Sequence, residues 1–104
     1  MSAFMDIVAE RERQIDVKGW APEHDDEHVN GELAAAALCY CWAAQAMLGK
    51  PSFDPRIIMH PPFWPWADEW WKPSDVRRNL VKASALIVAE IERLDRLSER
   101  EEQS

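Results

Sequence analysis

Residues 75–97 read DVRRNLVKASALIVAEIERLDRL, and this stretch decides the fold class. Val76, Leu80, Ala83, Ile87, Ile91 and Leu94 recur three or four residues apart, the spacing that gathers side chains on one face of an α-helix. Pro73, Ser74 and Asp75 supply the start signal, because a short polar side chain ahead of the first turn accepts from its free N–H groups. A helix over about 75–97 follows, and the polar run from Ser98 to Ser104 predicts a frayed tail.

Working back along the chain, residues 50–73 hold Pro51, Pro55, Pro61, Pro62, Pro65 and Pro73, so no long helix fits there. The same residues carry Phe53, Phe63, Trp64, Trp66, Trp70 and Trp71. So many aromatic rings predict an ordered, packed loop with a short helical turn at Ala67 to Trp71. Core packing accounts for most of this set, with Trp66 and Trp70 the two expected outside, at a site or an oligomer contact.

Before the loop, alanine is concentrated at 34–37 and again at Ala43, Ala44 and Ala46, and Gly49 and Pro51 stop the run. This predicts a second helix over about 27–48. Leu33, Ala37, Tyr40, Ala44 and Met47 form its stripe, and Leu38, Cys41, Trp42 and Leu48 widen it, so the helix is expected to be buried on more than one side. At the start of the chain, Phe4, Ile7, Val8, Ile15 and Val17 recur at helical spacing, while Glu10, Arg11, Glu12 and Arg13 are expected to face water. A first helix over about 3–17 ends at Lys18 and Gly19. The sum is one all-α domain over 1–104, with three main helices and a long ordered Pro/Trp-rich loop between the second and third.

Composition narrows function by exclusion. The chain has 104 residues, 47% of them hydrophobic, with six tryptophans and a net charge of −7. Such an acidic chain lacks the Lys and Arg that displace counterions from duplex nucleic acid. No apolar run reaches the ~18 residues of a membrane span, and no apolar signal core opens the chain, so a cytoplasmic protein is expected. Cys39 and Cys41 lie ~200° apart around a helix and match no zinc or redox spacing, so both read as buried reduced thiols.

Three clusters carry candidate chemistry. Arg77, Arg78 and Lys82 stand in the first turns of the third helix, where cations oppose the helix dipole and call for a compensating anion. Asp25, Asp26 and Glu27 are the expected internal answer, and a phosphate is the external one. The indoles of Trp66, Trp70 and Trp71 are suited to stacking on a base. The dense segment from Glu23 to His28 caps the second helix or, alternatively, holds a divalent metal through His24, Asp26, His28 and Glu32. Glu92 and Asp95, one turn apart, are similar to half of the metal site of all-helical MazG-like nucleotide pyrophosphohydrolases. The facing E-E-x-x-E helix has no match here, since only Glu27 and Glu32 are available.

Three stretches together, RERQIDVKGWAPEHDDEH at 11–28, GELAAAALCY at 31–40, and the WPW, WWKP and DVRRNLVKASALIVAEIERLDR segments within 65–96, resemble a family of small accessory proteins of tailed phages and prophages. The resemblance implies an inhibitor of host defence. The resulting expectation is a non-enzymatic homo-oligomer that sequesters a small phosphorylated ligand, a host-defence signalling nucleotide, through Arg77, Arg78, Lys82, Trp66, Trp70, Trp71, Asp25 and Asp26, without a cofactor. Two alternatives stand beside it: a Mg- or Mn-dependent nucleotide pyrophosphohydrolase, and an acidic inhibitor that binds a host protein.

Overall fold

The computed structural model describes residues 2–16, 25–50, 54 and 58–103. Three α-helices make up the described fold: α1 (Ala3–Asp16), α2 (Glu32–Met47) and α3 (Val76–Gln103), with one 3-10 turn at Asp68–Trp70 and no strand among the described residues. The all-helical class and the loop between α2 and α3 match the sequence reading. Two boundaries move. α2 starts at Glu32 rather than near residue 27, because Gly31 takes a left-handed conformation (φ 82°) that a right-handed helix cannot pass through. α3 continues to Gln103, through the segment expected to fray.

α3 starts where Pro73–Asp75 indicated, and a buried residue reinforces the start. The Arg78 N–H donates to Asp75 Oδ1 at 2.8 Å, while fully buried Asn79 accepts from the Ser74 N–H and donates to the Ser74 carbonyl, at 2.7 and 2.9 Å. Asn79 Nδ2 also lies 3.6 Å from Met47 Sδ, and Asp26 meets Arg96 and Arg100, so α2 and α3 run antiparallel. Between them lies the main core: Leu33, Ala36, Ala37, Cys39 and Tyr40 of α2 with Ala83, Leu86 and Ala89 of α3, closed by Trp64. The alanines let the two backbones approach closely.

The loop is packed as expected, through its indoles. Trp71 stacks on Tyr40 with ring centroids 4.8 Å apart and donates to the Ile58 carbonyl at 2.9 Å. Trp64 meets Tyr40, Trp66 and Trp71 edge-on and donates to the Ala67 carbonyl at 3.2 Å. His60 joins the loop to its own 3-10 turn, its Nδ1 2.8 Å from the Pro61 carbonyl and its Nε2 2.7 Å from Asp68 Oδ1; the protonated ring donates to both, and the Asp68 carboxylate raises its pKa above the ordinary value.

Facing is where structure and sequence part. α1 packs inward through Glu10, Arg11 and Gln14 and leaves Phe4, Met5 and Val8 in solvent; Ile7 and Ile15 of the expected apolar face are half-buried, and Glu12 faces water as expected. Val17 lies outside the described residues. On α2 the stripe of Leu33, Ala37, Tyr40, Ala44 and Met47 is buried, but Leu38, Cys41, Trp42 and Leu48 are exposed, so the helix is covered on one side only. Cys39 is buried, and burial pushes its thiol up to about 11, whereas Cys41 is exposed rather than buried. On α3 only Ala83 of the expected stripe is buried; Leu80, Ile87, Ile91 and Leu94 face out. The buried side consists of Asn79, Val81, Ala83, Ala85, Leu86, Ala89 and Arg93.

Candidate functional site

The cations at the start of α3 have their anions within the chain, though not the expected ones. Arg77 reaches Asp6 at 2.7 Å and Arg78 pairs with Glu10, both on α1. Asp25, Asp26 and Glu27 were expected to answer them. Asp25 instead lies buried against Arg11 at 2.7 Å, and Asp26 takes Arg96 at 2.9 Å and Arg100 at 3.3 Å near the far end of α3. The physical reason is direction: antiparallel packing carries the segment ahead of α2 to the C-terminal half of α3. α1 then occupies the place beside its N-terminal turns.

Glu10 is the centre of this network. Burial pushes its carboxyl up, but Arg13 in a two-pronged contact at 2.8 Å, with Arg78 and Gln14, holds it below the ordinary carboxylate value. Asp26 is also held low, first by its bond from Arg96. Arg11 bridges Asp25 to Glu92, the latter at 3.2 Å. Glu92 thus serves an ion pair between helices, and Asp95 is exposed.

A hollow opens where the three helices and the loop meet, lined by Glu10, Gln14, Tyr40, Trp64, Trp66, Lys82 and Leu86, with room for about one water molecule. Lys82 donates to the Lys72 carbonyl at 2.6 Å and sits 5.5 Å from the Tyr40 ring centre. Of the anticipated ligand residues, the hollow gathers Lys82 and Trp66. Trp71 stands behind Tyr40, while Trp70, Arg77, Arg78, Asp25 and Asp26 lie outside the lining.

Three buried polar atoms have no hydrogen-bond partner among the described residues: Asp6 Oδ1, Arg11 Nη1 and Gln14 Oε1. All belong to the inward face of α1. Buried polar groups left unmatched are uncommon in folded proteins and collect at sites that bind something else. The sequence reading passed over Glu10, Gln14, Arg11, Tyr40 and Trp64. A signal was present in Asp6, Glu10 and Gln14, spaced four apart on one face of a short helix.

Of the expected metal ligands, the described residues bring only His28 and Glu32 within reach of each other. His24 lies outside the described residues, Asp26 is committed to two arginines, and His28 lies 3.3 Å from Glu32, whose other oxygen accepts from the Asn30 N–H. Among the described residues no group of three His, Cys, Asp or Glu side chains is placed to hold a metal ion. No described helix is long and apolar enough to cross a membrane. No protein-family model, curated protein or solved structure matches the chain.

Proposed function

We propose that this chain is a non-catalytic binding protein that sequesters a small phosphorylated ligand, a nucleotide, at the junction of α1, α2, α3 and the tryptophan loop. The observation that carries this is Gln14 Oε1, a buried acceptor with no partner among the described residues, in the lining of the hollow beside Lys82 and the indoles of Trp64 and Trp66. The Trp66 indole suits a base, the Gln14 amide suits its polar edge, and Lys82 supplies charge for phosphate. Glu10 does not oppose an anion outright, since two guanidiniums already neutralise it. The hollow opens for such a ligand by release of Lys82 from the Lys72 carbonyl.

The finer form of the proposal rests on the resemblance to phage and prophage accessory proteins: the ligand is a signalling nucleotide of host defence, captured in the bacterial cytoplasm. A net charge of −7 favours a small ligand over duplex nucleic acid, and the apolar side chains left in solvent favour a homo-oligomer. The test is thermal denaturation against a panel of linear and cyclic nucleotides. A ligand at one hundred times its Kd stabilises by about 2.7 kcal/mol, and Lys82→Ala and Gln14→Ala are expected to remove that gain. Absence of stabilisation by every nucleotide in the panel overturns the reading.

A further inference from the structure

Leu80, Ile87, Ile91 and Leu94 are 42 to 52% exposed, though each is a large aliphatic residue in the middle of the longest helix. With Ser84 and Ser98 they occupy positions 80, 84, 87, 91, 94 and 98, a strict alternation of four and three. That alternation is the seam of a two-stranded coiled coil, in which each side chain enters a gap on a facing helix. The row continues to where α3 carries only exposed residues, from Leu97 to Gln103. An end of helix without packing is marginal in water.

We infer that this row is a dimer seam, and that its occupant is α3 of a second copy of this chain, running antiparallel. Charge sets the direction. Arg77, 61% exposed and flanking the row, lies at the start of α3 and Glu99, Glu101 and Glu102 at its end, so parallel pairing stacks like charges while antiparallel pairing sets opposite ones together. Size sets the register. With Ile87 against the partner's Ile91, Leu94 falls on the partner's Ser84, Leu80 on the partner's Ser98, and Arg77 on the partner's Glu101. Each leucine meets a small residue, so the layers fill without overcrowding. Ser84 is suited to a dry seam, because its hydroxyl already donates to the Leu80 carbonyl at 2.8 Å. A helix of 28 residues, about 42 Å long, accommodates this register, and the two-fold repeats every contact. The pairing needs no ligand, so it deepens only the oligomeric part of the proposed function.

Sedimentation velocity and light scattering on the full chain, without nucleotide, test the inference. At tens of micromolar the expected mass is twice the 12.0 kDa of one chain, and Ile87→Glu with Ile91→Glu halves it while the helical circular dichroism persists, since both positions are exposed in the monomer. Direction is read in a Cys41→Ser background: mixing chains carrying Ser84→Cys with chains carrying Leu94→Cys gives a mixed disulfide. A monomeric wild type overturns the inference and leaves the row to a different protein. Cross-linking of Ser84→Cys with itself, without the mixed product, overturns the antiparallel arrangement.

Discussion

Glu10 shows how much a single residue carries here. Its carboxylate holds Arg13, Arg78 and Gln14 at once, and its folded pKa lies below the ordinary 4.5. A carboxyl held low contributes stability that is complete above its ordinary value and is lost as pH falls through the folded value. Glu10→Gln is therefore expected to cost about 2 kcal/mol at neutral pH, less than for a fully buried pair because both arginines are about a third exposed. The deficit shrinks as pH falls below ~4.5 and is gone once pH passes the lower folded value, where wild type loses the same charge. Urea unfolding of both proteins from pH 7 to 3 checks the size and the sign. His60 works in the opposite direction. Its pKa is raised, so its contact with Asp68 contributes fully below pH 6.5 and fades as pH rises through the folded value. Titration of the His60 ring by NMR is expected to give a pKa above 6.5, returning toward it in Asp68→Asn.

At the scale of the element, the helix boundaries depend on two residues of different kinds. Gly31 stands at φ 82° with nothing within 4 Å of where a Cβ would go, so the strain in Gly31→Ala comes from backbone conformation, not from crowding. It is expected to cost about 1 kcal/mol, seen as a fall in Tm of about 4–8 °C. Asn79 is fully buried and ties Ser74 to the start of α3 by two hydrogen bonds. Asn79→Ala removes both and leaves the Ser74 N–H without that acceptor, an expected loss of about 2–3 kcal/mol in urea unfolding. Asn79 contributes through hydrogen bonds what its neighbours contribute through buried area.

For the whole molecule, the arrangement is a layer of helices with ion pairs on one side of α3 and apolar contacts on the other. α1 is held mainly by charge, through Asp6, Glu10 and Arg11, and α2 by Leu33, Ala36, Ala37 and Tyr40. Neighbouring residues on α3 thereby take on different work. Leu86 is buried in the core, whereas Ile87 is 49% exposed. Leu86→Ala is expected to cost about 3 kcal/mol at any protein concentration. Ile87→Ala is expected to cost under about 0.5 kcal/mol in dilute protein and more as concentration rises, because its partner is another chain. Thermal melts of both variants over a hundredfold range of concentration separate the two behaviours.

The sequence by itself determined the number of helices, the stop at Gly49, the start at Asp75 and the packed nature of the tryptophan loop. Each of these follows from local chemistry: periodicity, glycine and proline conformation, and capping. It also determined the inward stripe of α2, where small and large apolar residues share one face with few competitors. Tertiary structure alone decided which face of α1 and α3 turns inward. Periodicity shows that a helix has two faces, but not what each will meet. On α3 the chain carries two apolar rows, the large one through Leu80, Ile87, Ile91 and Leu94 and one through Leu86 and Ala89, with Ala83 at the border between them. The second row went inside because alanine-rich α2 packs closest against small residues. On α1 the polar face went inside because Arg77 and Arg78, seventy residues away, required Asp6 and Glu10 beside them. Such a match exists only once the helices are packed together, since long-range electrostatic pairing leaves no local periodic signal to read.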